Sequence, residues 1–136
     1  MLAKNSKKVF GIEIVKEATN LANDLAKQNK ISNLTNINGD CAKELPKLFS
    51  TLSSQEKQNL TIVLDPPRKG CDKAVIDAII DTKPNKIIYL SCDPSTLARD
   101  LYAINQSNLY QIKSIQPFDM FPQTKHVETL AILIKK

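Results

Sequence analysis

Ile87-Ile88-Tyr89-Leu90-Ser91-Cys92-Asp93-Pro94-Ser95-Thr96-Leu97-Ala98-Arg99-Asp100-Leu101 is the stretch on which the fold turns. Ile87, Ile88, Tyr89 and Leu90 form a short apolar, partly β-branched run, the pattern of a strand covered on both faces. Asp93 followed by Pro94 is a helix start, because the carboxylate caps free amides and proline fits the first turn. Cys92 therefore stands at the carboxyl end of a strand and at the mouth of a helix N-terminus. Free amides and the positive end of the helix dipole favour a thiolate there. A buried structural thiol is the competing reading. Cys92 by itself divides evenly between the two, since cysteine is among the most buried residue types.

Outward from this stretch, the 136 residues fit one domain large enough for its own core. Hydrophobic residues at 42% and charged residues at 24% match a soluble globular protein. No run is long enough to span a membrane and Met1-Leu2-Ala3-Lys4 does not open a signal peptide, so the expected location is the cytoplasm. Cys41, Cys71 and Cys92 are odd in number and widely spaced, which argues for a reducing compartment and against a disulfide framework or zinc site. The net charge of +5 and pI near 9.1 permit a polyanionic partner without requiring one. The arginines, Arg68 and Arg99, both fall in motif stretches. The chain carries no internal repeat, low-complexity segment or linker.

Towards the N-terminus, Val9 to Ile14 reads as a strand. An acidic residue at such a strand end, Glu13, can bond ribose hydroxyls, as in other nucleotide-binding α/β folds. A solvated glutamate is the simpler reading of Glu13 alone. Val15, Ala18, Leu21, Ala22, Leu25 and Ala26 then recur on one helical face, and that helix ends near Gln28 to Lys30. Leu34 to Asn38 is a weaker strand ending at Gly39-Asp40. Asp40 can cap the segment from Cys41 to Ser50, where Pro46 interrupts or restarts a short helix. Ser50 to Asn59 reads as a surface loop or a frayed helix end, and Cys41 as a small packed residue.

Leu60 to Leu64 is the clearest buried strand, and it ends in Asp65-Pro66-Pro67-Arg68-Lys69-Gly70. Two prolines after a strand fix an extended loop that cannot continue the ladder. Asp65 is then held at the carboxyl edge, where open α/β sheets bind ligands. Arg68 and Lys69 beside it suit phosphate or carboxylate; a plain strand-to-helix turn is the competing reading. Asp72 caps a helix from Lys73 to about Thr82 with Val75, Ile76, Ile79 and Ile80 inward. Beyond the central stretch a helix runs from Ser95 to about Asn105. Tyr110 to Pro117 is a strand with imperfect period two, residues 118–125 a loop, and His126 to Ile134 the last strand. Glu128 lies beside the apolar run Leu130 to Ile134, where partial burial would raise its pKa; an outward-facing edge residue fits the pattern equally. The alternation of strands and helices, closed by two strands, argues a mainly parallel sheet with an antiparallel end.

Three segments together carry a resemblance. Asp65-Pro66-Pro67-Arg68-Lys69-Gly70, Ile87 through Thr96, and Phe121-Pro122-Gln123-Thr124-Lys125-His126-Val127-Glu128 resemble the signatures of the RNA uracil-5-methyltransferase family, in order and at compatible spacing. Members transfer a methyl group from S-adenosylmethionine to C5 of uridine in tRNA or rRNA. The resemblance covers the chain from about Val9 to the C-terminus. It implies Cys92 as nucleophile, Glu128 as base, and Glu13, Asp40 and Asp65 as contacts to the methyl donor. His126 takes a supporting role, and Arg99 either a salt-bridge or a phosphate role. The chemistry needs these residue types. A thiolate adding to C6 makes C5 nucleophilic, and a base must then remove the C5 proton so that the thiolate can leave. The target must be unpaired or flipped out of its stack.

The chain departs from the family in one respect. Family members carry, before the position of Val9, a strand, a glycine-rich turn that cradles the donor, and N-terminal regions that help hold RNA. Here the three glycines are Gly11, Gly39 and Gly70, with no G-x-G. The resemblance implies that the chain begins in the helix after that turn. The expected fold is thus a partial Rossmann-like α/β methyltransferase sheet lacking the first strand and glycine-rich turn. Residues 1–136 would form a single truncated catalytic domain, open to completion by a separately encoded N-terminal portion. The strands Val9–Ile14 and Leu60–Leu64 then pair directly or leave a gap with exposed edges. Weak donor binding and marginal stability of the chain alone are expected. The cysteine cluster that holds iron–sulfur in some relatives is missing, so no metal is expected. A non-enzyme, either a remnant or an RNA-binding fragment without turnover, stands as the alternative. An amino-methyltransferase accounts for the first motif only, since that chemistry needs no cysteine nucleophile.

Overall fold

The computed structural model describes residues 2–120, 122–124 and 126–136. A 3-10 turn at Leu2–Asn5 precedes β1 (Val9–Glu13), α1 (Lys16–Gln28), β2 (Leu34–Asn38), α2 (Cys41–Thr51), α3 (Ser54–Gln58) and β3 (Thr61–Leu64). Then come α4 (Lys73–Thr82), β4 (Lys86–Ser91), α5 (Pro94–Asn105), β5 (Tyr110–Phe118) and β6 (Glu128–Lys135). The chain divides into two compact units, Met1–Leu48 and Phe49–Lys136.

In the first unit β1 and β2 pair in parallel, from Val9 opposite Leu34 to Glu13 opposite Asn38. The α1 face against this pair is built from Thr19 and Ala26, which are buried. Asn36 on β2 donates to Asn23 Oδ1 on the same helix at 2.9 Å. The apolar stripe expected on α1 is wider than the strip that the two strands cover. Leu21 and Leu25 consequently stay 60% and 48% exposed. Pro46 does not break α2, which runs unbroken from Cys41 to Thr51. Proline removes one donor but its φ suits a helix, and Leu45 anchors the turn in the interior.

In the second unit the strand order is β3-β4-β6-β5. β3 and β4 are parallel, and β6 runs antiparallel to both β4 and β5. Only β6 is therefore reversed, the mainly parallel sheet with an antiparallel last strand that the sequence predicts. Ile87 opposite Leu133, Tyr89 opposite Ala131 and Ser91 opposite Thr129 form one face of the β4–β6 ladder, and all six are buried. Ile76 and Ile79 of α4 and Leu97, Leu101 and Ile104 of α5 are buried as well. Each such side chain contributes about 1.5–3 kcal/mol by leaving water. The imperfect period of β5 has a local cause: a bulge between Ile112 and Ser114 shifts the alternation by one residue.

No ladder joins β1 to β3 among the described residues, so the direct pairing that was one of the two expected outcomes is not found. The polar run after α2 is not a plain loop. Ser53 Oγ accepts from Glu56 N, and Glu56 Oε2 accepts from Ser53 N, a capping box that starts α3. Asp72 occupies the N-cap position of α4, but its carboxylate makes no cap bond and instead meets Lys69 Nζ at 3.2 Å. The nearby ammonium competes for the carboxylate more strongly than neutral amides do.

Candidate active site

Cys92 follows the last residue of β4, and the turn around it is locked by its neighbours. Ser91 Oγ donates to Asp93 O at 2.9 Å and accepts from Asp93 N at 3.1 Å. Asp93 Oδ1 accepts from Ser95 N at 2.9 Å and Thr96 N at 3.1 Å, the N-cap read from the sequence. Pro94 occupies the first helical turn of α5. Cys92 itself is half-buried at this helix mouth.

The register of the antiparallel pair sets what adjoins it. Ser91 lies opposite Thr129 at the end of the β4–β6 ladder. Cys92 directly follows Ser91 and Glu128 directly precedes Thr129, so both adjoin the last pair of this ladder. Glu128 is half-buried and also lies opposite Phe118 on β5. Asp65 is exposed at the carboxyl end of β3, directly after Leu64, whose partner is Tyr89 on β4. Arg68 Nη2 lies 3.4 Å from His126 Nε2. A guanidinium nitrogen only donates, so the imidazole nitrogen accepts. One edge of the second unit thus carries Asp65, Arg68, Cys92, His126 and Glu128. Of the third motif, Phe121 and Lys125 lie outside the described residues.

Glu13 and Asp40 belong to the first unit and share its corresponding edge. Gly39 N donates to Glu13 O at 3.0 Å across the ends of β1 and β2. Glu13 Oε1 accepts from Val15 N at 2.8 Å, and Asp40 Oδ1 accepts from Ala42 N at 2.9 Å, capping α2 as expected. Each carboxylate engages one oxygen in these bonds. A nucleoside with vicinal hydroxyls asks for acceptors of this type at the carboxyl ends of parallel strands, so the donor set fits S-adenosylmethionine. Burial, and next Asp40, push the Cys41 thiol above its ordinary pKa, in keeping with a packed neutral residue.

One group was not visible in the sequence as a site. Asp100 on α5 is 2% exposed, and both its oxygens are engaged. Tyr89 Oη donates to Oδ2 at 2.6 Å and Cys71 N donates to the same atom at 2.7 Å. Arg99 donates to Oδ1 through Nε at 2.9 Å and Nη2 at 2.7 Å. Arg99 therefore takes the salt-bridge role of the two left open. The available signal was periodicity: Asp100 falls on the inward α5 face with Leu97, Leu101 and Ile104.

Among known proteins, the family model of the tRNA (uracil-5-)-methyltransferases matches residues 1–136. An uncharacterised RNA methyltransferase of Clostridium acetobutylicum is 45% identical over 135 residues, 99% of this chain and 28% of the relative. Another from Bacillus cereus is 45% identical over 132 residues, again spanning 28% of that protein. The crystal structure of Pyrococcus abyssi tRNA (uracil-54, C5)-methyltransferase in complex with S-adenosyl-L-homocysteine superposes with a TM-score of 0.78 at 29% identity. That match covers 98% of this chain and 30% of the archaeal one. The chain thus spans just over a quarter of the length of such relatives. No described helix is long and apolar enough to cross a membrane. With a match along its whole length, the chain belongs to the tRNA (uracil-5-)-methyltransferase family.

Proposed function

We propose that this chain carries the chemical step of an RNA uracil-5-methyltransferase, with residues 1–136 serving as one catalytic domain in the cytoplasm. The observation that supports this most is the β4–β6 register, whose last pair, Ser91 opposite Thr129, is followed by Cys92 on one side and preceded by Glu128 on the other. In this reading the Cys92 thiolate adds to C6 of an unstacked uridine in tRNA or rRNA, and the ring becomes an enolate. C5 of the enolate takes the electrophilic methyl group of S-adenosylmethionine as the methyl–sulfur bond breaks, and S-adenosylhomocysteine leaves. Glu128 then accepts the proton from C5, and the electron pair left behind expels the Cys92 sulfur from C6. Asp65, Glu13 and Asp40 hold the donor, and His126 orients Arg68 at the rim.

The test uses the chain alone and complemented with the remaining part of the Clostridium acetobutylicum relative. Labelled RNA is followed on a denaturing gel. Cys92→Ala is expected to abolish both the protein–RNA adduct and the product. Glu128→Gln is expected to transfer the methyl group and then stall, so its adduct accumulates. RNA with 5-fluorouridine is expected to trap the unaltered protein, because fluorine cannot leave as a proton does. An adduct that still forms in Cys92→Ala overturns the assignment of the nucleophile. A complemented protein that forms no adduct at all favours the fragment without turnover.

A further inference from the structure

The loop 65–71 begins at Asp65 and ends against α5, and its backbone is held there by side chains of one helix face. Thr96 Oγ1 donates to Arg68 O at 3.0 Å. Arg99 Nη2 donates to Lys69 O at 2.9 Å and Cys71 O at 3.3 Å. Asp100 Oδ2 accepts from Cys71 N at 2.7 Å. Thr96, Arg99 and Asp100 stand at helical spacing i, i+3 and i+4, so they project together. Below them Tyr89, buried on β4, holds the Asp100 carboxylate through its hydroxyl. The loop is shaped to fit. Gly70 has φ +77, and a Cβ there would lie 2.6 Å from both Arg99 Nη2 and Asp100 Oδ2. Gly70 N donates to Pro67 O at 2.8 Å, closing the turn that presents these carbonyls.

This same α5 is the helix whose capped N-terminus adjoins Cys92. Two segments of different role are therefore fixed to one rigid element: the nucleophile at its start, and one to two turns later the loop that carries Asp65. A buried carboxylate with four hydrogen bonds is a costly device for fastening an ordinary surface loop. We propose that Asp100, acting through Tyr89 and Arg99, is a positioning residue that sets the separation between Asp65 and Cys92, and with it the alignment of methyl donor and uridine. The proposal rests on the roles given above to Cys92 and Asp65. Arg99 is not replaceable by lysine in this role, since a single ammonium cannot span the carboxylate and two carbonyls at once.

The test separates the clamp from the reaction. Amide hydrogen exchange is read in the full chain carrying Asp100→Asn, and in Tyr89→Phe, which keeps the volume and removes one bond. The Cys71 amide is expected to exchange at least tenfold faster in both variants, with β4 and β6 amides unchanged. Unaltered exchange at Cys71 overturns the clamp whether or not the protein is active. In the complemented protein, two rates are compared: methyl transfer, and donor-independent exchange of tritium from C5 of uridine. The second needs Cys92 and Glu128 but not the donor. Asp100→Asn, Tyr89→Phe and Arg99→Lys are expected to slow methyl transfer tenfold or more and leave tritium exchange within twofold. Equal loss of both rates reduces the network to a structural one and overturns the positioning role. An unaltered protein with neither rate counts against the proposed function, and the clamp is then decided by Cys71 exchange alone.

Discussion

Asp100 places a charge where helical periodicity calls for an apolar side chain, and its two oxygens are satisfied by four donors. The position could be read from the sequence; the partners could not, because Tyr89, Cys71 and Arg99 meet only once β4, the loop and α5 are packed. Tyr110 shows the same logic in a simpler form. It is fully buried and its hydroxyl donates to Pro84 O at 3.0 Å. Burial pushes its pKa from 10.0 up to about 12. Burial, and then the bond to Asp100, push Tyr89 upward as well. A raised acid pKa stabilises the fold below the unfolded value and loses that contribution as pH rises through the folded one. Stability is therefore expected to hold up to pH 10 and to fall above it. Each of the two phenols contributes a slope on the order of 1.4 kcal/mol per pH unit. Denaturant titrations between pH 9 and pH 12 check this. Tyr110→Phe should flatten the alkaline fall, and an equally steep fall in that variant would refute the assignment.

At the scale of elements, the order of strands and helices was legible because each apolar run is bounded by its own punctuation. Asp93-Pro94 opens α5, Gly39-Asp40 closes β2, and Pro66-Pro67 ends β3. The pairing of β6 between β4 and β5 was not legible, since periodicity carries no information about neighbours in a sheet. That pairing is what brings Glu128 and Cys92 to the same end of the β4–β6 ladder. α3 differs from the loop or frayed helix end expected there, although Ser53-x-x-Glu56 carries the signature of a capping box. The surrounding polar composition outweighed it, because a five-residue helix has no apolar face to announce itself. Ser53 supplies both halves of the box, through its hydroxyl and its amide. Ser53→Ala is expected to cost about 1 kcal/mol, read as a lower denaturation midpoint at unchanged slope, with faster exchange confined to α3. A change below a few tenths of a kcal/mol would mean that α3 is held by its flanks and not by its cap.

Across the whole molecule, the two units differ in how much apolar surface they hide. Among the described residues, the buried hydrophobics of the first unit are Ala26 and Leu45. The second unit holds Ile79, Ile87, Tyr89, Ile104, Tyr110, Ala131 and Leu133, all at 0% exposure. The first also leaves Ile14, Val15, Leu21 and Leu25 between 48% and 71% exposed. A two-stranded sheet has no inner strand, so each of its strands has an unpaired edge. Local opening free energies follow buried apolar contact and ladder pairing. The β1 and β2 amides, Phe10 to Ile12 and Thr35 to Ile37, are therefore expected to exchange with solvent at least a hundredfold faster than Ile87 to Leu90 and Leu130 to Leu133. Exchange read residue by residue in the native chain checks this. Equal protection in both sets would show a single cooperative structure, and the distribution of burial would then be a poor guide to local stability here. If the difference holds, Glu13 and Asp40 sit on the labile unit and Cys92 and Glu128 on the durable one. A ligand that binds the folded form only then stabilises it by mass action, so S-adenosyl-L-homocysteine added in excess should slow exchange in β1 and β2 first. Protection that appears in β4 and β6 alone would remove Glu13 and Asp40 from the donor site.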